Sequence, residues 1–311
     1  MILVTGASGR LGQWVVAVLT ARGESVLCLS RRPLDAPTIS GLSWSNPVTA
    51  LACDLTDPDS VARARAGLVE VTAVVHLAAY VPDDTAVVSV DDAVATLRSN
   101  VDATARLLGA LDRASDLRAI VMSSTFEVYG HPPNLPVTED QPTRPSSHYG
   151  ASKLLTEKCL ALYEAERGVP CSSLRMPAIY GPGDTIRRAL GNFVRAAATG
   201  GELRVAGDGG DLRELLYLRD AAEAIALALE VRATGAVNIA SGVGYSIREM
   251  AESVIRVAGS GTITFTERTK ERTDYVMSID RAMTTLGWQP HTRLDTGIAA
   301  MLAWARGGDT D

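Results

Sequence analysis

The feature that most restricts this chain lies at its start. An apolar run, Ile2-Leu3-Val4, leads into Thr5-Gly6-Ala7-Ser8-Gly9-Arg10-Leu11-Gly12, and an apolar helical pattern follows over Leu11–Ala21. Glycines spaced G-x-x-G-x-x-G between a strand and a helix let the backbone turn tightly and come close to an anion. The helix N-terminus then offers that anion free N–H groups and the positive end of its dipole. Such a turn is the pyrophosphate cradle of a dinucleotide-binding β-α-β unit. Gly6, Ser8, Gly9, Arg10, Leu11 and Gly12 are therefore candidate cofactor contacts.

The alternation continues through the first half. Val26–Leu29, Val48–Ala52, Val71–His76, Ala119–Met122 and Ser172–Leu174 read as strands, mostly continuous apolar runs of the kind buried on both faces. Helical patterns start near Pro58 and span Val87–Ser115 and Tyr149–Arg167. This order predicts an α/β fold with a doubly wound parallel Rossmann sheet. After Arg175 the pattern loosens: Gly181-Pro182-Gly183 and Gly207-Asp208-Gly209-Gly210 break the chain, with helical stretches at Asp220–Glu230, Ser246–Val257 and Leu294–Arg306. The expectation is a dinucleotide-binding domain at 1–174 with a later return near 212–238. A smaller C-terminal α/β substrate lobe would take 175–211 and 239–311, ending in a frayed tail at Gly307–Asp311.

Charge and composition narrow the partners. A net charge of -6 argues against general nucleic-acid binding, which needs a basic surface. Cys28, Cys53, Cys159 and Cys171 stand far apart, and His76, His131, His148 and His291 have no ligand spacing, so reduced thiols and no metal are expected. The first strand begins at Met1, leaving no room for a signal peptide, and no apolar run approaches membrane-spanning length. A cytoplasmic protein with no membrane partner is expected.

The end of the second strand selects between the two nicotinamide dinucleotides. A carboxylate there accepts ribose hydroxyls and repels a 2′-phosphate, whereas this chain has Ser30-Arg31-Arg32 and no carboxylate until Asp35. Guanidinium groups pair with phosphate in a two-point fork, which favours NADP and leaves NAD possible.

Tyr149-Gly150-Ala151-Ser152-Lys153 puts a phenol and an ammonium on one helix face. Positive charge from Lys153 and an oxidised nicotinamide is expected to pull the phenol of Tyr149 down, fitting it to exchange a proton with a substrate hydroxyl. With Thr5–Gly12, His76-Leu77-Ala78-Ala79, Asn100, Ser123–Gly130 and Arg175–Pro182, this segment resembles the extended short-chain dehydrogenase/reductase family. That family holds nucleotide-sugar epimerases, dehydratases and 4-ketoreductases, and the resemblance runs from Ile2 through Pro290.

The resemblance implies roles residue by residue. Thr125 would bond the reacting sugar oxygen beside Tyr149, and Lys153 would hold the nicotinamide ribose. Asp54 and Leu55 would meet the adenine, while Leu77, Ala78 and Ala79 would line the cofactor along with Ser123 and Pro177. Asn100 would steady the active-site end of the long helix. Arg213, following Gly207-Asp208-Gly209, matches an arginine that binds a nucleotide-sugar pyrophosphate, and Arg272 a second such arginine, with contracted spacing near Asp274.

Three sugar chemistries compete. A 4,6-dehydratase needs an acid and a base after Thr125; Glu127 keeps the base position, but Phe126 stands at the acid position and cannot donate a proton. A 4-epimerase needs only Thr125, Tyr149 and Lys153. A 4-ketoreductase uses the same residues and exchanges its cofactor each turnover. A non-nucleotide sugar or hydroxy-ketone substrate, or a dinucleotide sensor without catalysis, are the further alternatives. The resemblance also implies a homodimer joined through the helices at Val87–Ser115 and Tyr149–Arg167. Val101, Leu107, Leu108, Leu111, Leu155 and Leu162 could supply the seam or face the chain's own sheet.

Overall fold

The chain alternates β1 (Ile2–Thr5), α1 (Arg10–Ala21), β2 (Val26–Ser30), β3 (Thr49–Ala52), α2 (Pro58–Ala64) and β4 (Ala73–His76). Then come α3 (Val90–Leu97), α4 (Ala103–Ala110), β5 (Ala119–Thr125), α5 (His148–Arg167), β6 (Cys171–Met176) and β7 (Ala178–Tyr180). The second half adds α6 (Ala189–Ala198), β8 (Glu202–Ala206), β9 (Leu212–Tyr217), α7 (Leu218–Glu230), β10 (Gly235–Asn238) and β11 (Gly244–Ser246). It ends with α8 (Ile247–Ala258), β12 (Thr262–Thr266), α9 (Asp280–Leu286) and α10 (Leu294–Arg306). This computed structural model describes residues 1–82, 89–184, 188–268 and 273–307.

Seven strands form one parallel sheet in the order β10-β6-β5-β4-β1-β2-β3. The apolar runs explain it: β1, β2 and β6 are buried at every residue, so both faces must be covered by helices. Helices α1 and α7 pack together on one face, and α2, α4 and α5 cover the other. Leu3 and Val4 are fully buried on opposite faces, and truncating a core leucine such as Leu3 to alanine typically costs about 2–5 kcal/mol. Strand order reverses between β1 and β4, and there the carboxyl ends of the strands open a crevice.

The smaller α/β lobe has its own core of α6, α8 and α10 around Leu203, Val205 and Leu215. Two small sheets belong to this half, β11-β9-β7 and β12-β8. Among the described residues no helix is long and apolar enough to cross a membrane.

One expectation needs correction. The stretch Val87–Ser115 is not a single helix: α3 and α4 are separated by a π-helical turn at Arg98–Asp102, and a 3-10 turn ends at Arg113; its first two positions, 87 and 88, lie outside the described residues. The wider turn presents Asn100, whose side chain accepts from the Tyr80 backbone N–H at 2.7 Å and donates to the Tyr80 carbonyl at 3.1 Å. Mid-helix turns of this kind mark an inserted tertiary contact.

Candidate active site

The glycine turn is built on close approach. Gly6 has φ +68, and a Cβ there would stand 2.7 Å from the backbone nitrogen of Ala78. A Cβ on Gly12 would stand 2.2 Å from the Gly6 carbonyl oxygen, so the first turn of α1 can press on the loop only without a side chain. Gly9 is the N-cap of α1 and has no capping side chain, which leaves the first N–H groups facing the crevice.

A cleft of about 330 Å³ runs from this turn along the sheet edge, within the size range of small-molecule sites. Gly6, Ser8 and Gly9 line it at one end, and Ser30, Arg31, Asp54 and Leu55 at the other. Leu77, Ala78 and Ala79 form its wall. Asp54 folds back onto the backbone N–H and hydroxyl of Thr56 at 2.8 and 2.7 Å, and these bonds, with Arg31 nearby, hold its carboxyl below the usual range. Arg32 is exposed and its carbonyl accepts the Ser30 hydroxyl.

Leu77 and Ala79 also line a second cleft, which adjoins the first. This one gathers Ser123, Thr125 and Glu127 from the end of β5 and the turn beyond it, Tyr149 from α5, and Pro177 after β6. Arg10 and Leu11 close it from the glycine turn. Strand and helix meet tightly because a Cβ on Gly150 would stand 2.6 Å from the Glu127 carbonyl oxygen. Ser147 caps α5, accepting from Gly150 N–H at 3.0 Å and donating to Glu127 Oε2 at 2.6 Å. Thr125 Oγ1 accepts from the Glu127 N–H at 3.3 Å, which leaves its own proton for a ligand. Phe126 packs edge-on against Tyr275, ring centroids 4.5 Å apart, rather than offering a polar group.

The electrostatics depart from expectation at Tyr149. Burial pushes its phenol above the ordinary value; Glu127 raises it further and Arg188 opposes. Lys153, expected to lower it, instead exchanges electrostatic influence with Glu157 and His76. Burial brings the Lys153 ammonium down to about 8, against an upward pull from Glu157. Within the protein the downward pull on the phenol comes from Arg188, and burial outweighs it.

Several expected site residues line neither cleft, Lys153, Gly12 and Arg32 among them. Arg213, at the substrate-lobe edge on β9, donates from Nη1 to the carbonyls of Leu212, at 2.9 Å, and Thr273. Arg272 lies outside the described residues. Asn100 is buried behind the cleft rather than lining it.

Asp184 and Arg188 were not anticipated from sequence. Both line the second cleft, and Asp184 pairs with Arg10 at 3.2 Å across it. The Gly181-Pro182-Gly183 turn just before Asp184 was the available signal. Glu157, four residues after Lys153, was also missed; it accepts both Arg175 and the Ser124 hydroxyl.

A Rossmann sheet with a glycine cradle, with Thr125 and Tyr149 lining the neighbouring cleft and Lys153 buried one helical turn from Tyr149, defines a nicotinamide-dinucleotide enzyme of the short-chain dehydrogenase type. A family model described as the NAD dependent epimerase/dehydratase family matches residues 2–240. The chain is 30% identical to a UDP-glucose 4-epimerase of Corynebacterium glutamicum, over 98% of this chain and 94% of that one. It is also 30% identical to a dTDP-glucose 4,6-dehydratase of Streptomyces griseus, over 97% and 93%. The crystal structure of a Thermus thermophilus UDP-glucose 4-epimerase in complex with NAD superposes with TM-score 0.84 at 29% identity, covering 99% of each chain. This chain belongs to the NAD-dependent epimerase/dehydratase family.

Proposed function

We propose that this protein is a nucleotide-sugar 4-epimerase, moving a hydride at C4 of a hexose carried on a nucleoside diphosphate. The observation that carries the reading is the convergence of Thr125 and Tyr149 on a cleft that shares Leu77 and Ala79 with the dinucleotide cradle. The near full-length likeness to UDP-glucose 4-epimerases supports it.

The residues present fit the cofactor. The crowding at Gly6 and Gly12 keeps those positions free of side chains, and the uncapped N–H groups of the first turn of α1 suit a pyrophosphate. Lys153, whose ammonium bonds no protein group among the described residues, would hold the nicotinamide ribose. A bound nicotinamide dinucleotide supplies the hydride acceptor and donor. Thr125 then donates a hydrogen bond to the sugar O4, and Tyr149 takes the O4 proton and returns it to that oxygen once the 4-keto sugar has turned its other face of C4 to the site. Arg213, its guanidinium steadied by two backbone carbonyls, holds the diphosphate. Phe126, packed on Tyr275, leaves no acid for expelling a C6 hydroxyl, which disfavours dehydration.

Ser30-Arg31-Arg32 supports a preference for NADP and, with it, a second reading as a 4-ketoreductase. Absorbance of the reduced nicotinamide during turnover of a nucleotide-sugar panel decides between them. Epimerisation gives C4-inverted product with no net absorbance change; stoichiometric cofactor consumption would overturn it.

A homodimer completes the reading. Val90, Val94 and Leu97 form an exposed apolar stripe on α3, and Leu155 and Leu162 extend it on the adjoining α5. Leu107, Leu108 and Leu111 are buried in the chain's own core and are not part of that seam. Sedimentation of a Leu155→Glu variant as a monomer, against a dimeric parent, is the expected outcome. Four unpaired cysteines fit a cytoplasmic setting.

A further inference from the structure

The ring of His76 lies between two threonine hydroxyls, and counting protons leaves it one state. Thr104 Oγ1 stands 2.5 Å from the Asn100 carbonyl, one turn earlier in the helix. A carbonyl can only accept, so the Thr104 proton is committed there. His76 Nε2, 2.9 Å from the same hydroxyl oxygen, must therefore donate to it. On the other side Thr5 Oγ1 accepts the N–H groups of Leu77 and Ala78, each at 3.2 Å. Both its lone pairs are used, so its proton goes to His76 Nδ1 at 2.7 Å. The imidazole is neutral and carries its hydrogen on Nε2.

The chain of bonds reaches both halves of the site. Thr5 ends β1 at the root of the glycine turn, and the N–H groups it accepts belong to the wall of the dinucleotide cleft. From Thr104 the path passes to Asn100, whose Nδ2 donates to Ser152 Oγ at 2.9 Å, and Ser152 donates to the Tyr149 carbonyl at 2.8 Å. Thr5, His76, Asn100, Thr104 and Ser152 are each at most 2 % exposed, so every unpaired group here would be costly. Burial, with Lys153 nearby, holds His76 down to about 3, so no second positive charge stands beside that ammonium.

We infer that His76 is a positioning residue. As a fixed neutral imidazole, it sets the cofactor wall at Leu77–Ala78 through Thr5. Through Thr104 and Asn100 it sets the helix that carries Tyr149 and Lys153. The kinetic part of this inference rests on the hydride-transfer reading; the ring state and the dinucleotide affinity do not.

Two variants separate the arms. Asparagine places an oxygen near the position of Nδ1, so His76→Asn keeps an acceptor for Thr5 and loses the donor to Thr104. Glutamine places an N–H near Nε2, so His76→Gln does the reverse. Losing one buried hydrogen bond corresponds to about tenfold. His76→Gln is expected to weaken dinucleotide binding by about that factor with kcat largely kept. His76→Asn is expected to lower kcat by a similar factor with dinucleotide affinity largely kept. Equal losses in both variants, or losses of melting temperature alone, would overturn the inference.

The parent protein gives a test that does not depend on a variant folding. With ¹⁵N-labelled histidine and bound dinucleotide, long-range ¹H–¹⁵N correlation should find His76 neutral and Nε2-protonated from pH 8 to pH 5. An Nδ1–H tautomer, or titration within that range, would also overturn it. No turnover of any nucleotide sugar, with the expected ring state and the affinity loss confined to His76→Gln, would support the hub and count against the sugar reading.

Discussion

Arg175 grips Glu157 at both carboxylate oxygens, Nε to Oε1 at 3.1 Å and Nη2 to Oε2 at 2.7 Å, with both side chains more than nine-tenths buried. The Ser124 hydroxyl donates to Oε1 at 2.5 Å, and Arg175 Nη1 donates to the Tyr129 hydroxyl at 2.9 Å. Tyr129 passes its own proton to Asn238 Oδ1 at 2.7 Å. The pair thus ties α5 to β5 and β6 directly beneath Thr125. Glu157→Gln leaves the guanidinium buried without its counter-charge, a change that typically costs about 3–5 kcal/mol. Urea denaturation should find that loss, and the double variant Glu157→Met/Arg175→Met should recover most of it. A single variant as stable as the parent would mean the pair does not hold α5.

Lys153 sets a pH limit on turnover. Its ammonium, brought down to about 8 by burial, is charged below that pH and neutral above it. A neutral Lys153 no longer attracts the ribose hydroxyls as a full positive charge. The profile of kcat/KM should therefore fall as pH rises through about 8. Lys153→Met should abolish this descending limb, and Tyr149→Phe should cost roughly 10²–10⁴ in kcat. A limb that persists in Lys153→Met would assign it to another group.

What sequence could reveal was local. The three glycines follow from turn chemistry, and the Tyr149–Lys153 pair from helical spacing. Asn100 could be singled out, but its π-helical turn depends on the Tyr80 backbone, and the apolar pattern runs through it unbroken. Leu107, Leu108 and Leu111 were legible as an apolar face, yet spacing does not say which surface covers that face. The substrate lobe was hardest because β7, β8, β11 and β12 are short and find their partners far along the chain. Strand β12 pairs with β8 across sixty residues at Thr262 and Glu202. Arg213 was visible as a cation, while its carbonyl partner at Thr273 was not.

The proposed preference for NADP turns on the end of β2. Arg31 lines the cleft and is felt by Asp54, while Arg32 is exposed beside it. Two guanidinium groups at the adenosine end favour a 2′-phosphate through charge-assisted bonds. NADP should bind more tightly than NAD. The double variant Arg31→Ala/Arg32→Ala should weaken NADP by roughly 10–100-fold and leave NAD within about twofold. Isothermal titration at fixed salt measures both constants. Equal losses for the two cofactors would place the arginines on a shared feature, not on the phosphate.

Glu214 gives the fold its own pH dependence. Buried on β9, its Oε1 accepts the Gly242 N–H at 2.5 Å and the Ser241 hydroxyl at 3.2 Å, while Oε2 accepts the Met277 N–H at 2.8 Å. Desolvation outweighs these bonds and raises its carboxyl from 4.5 to about 7. A folded state that holds its proton more tightly than the unfolded chain is favoured below pH 4.5 and loses that advantage as pH rises to about 7. The loss is on the order of 3 kcal/mol. Glu214→Gln cannot ionise, so its contribution to unfolding free energy should stay flat across that window. It should also be less stable than the parent below pH 4.5, where Glu214 keeps its proton, since its amide N–H₂ must face one of the N–H donors that the carboxyl oxygens accept. Denaturant midpoints at several pH values test both statements. Parallel pH profiles for parent and variant would mean that Glu214 is ionised throughout.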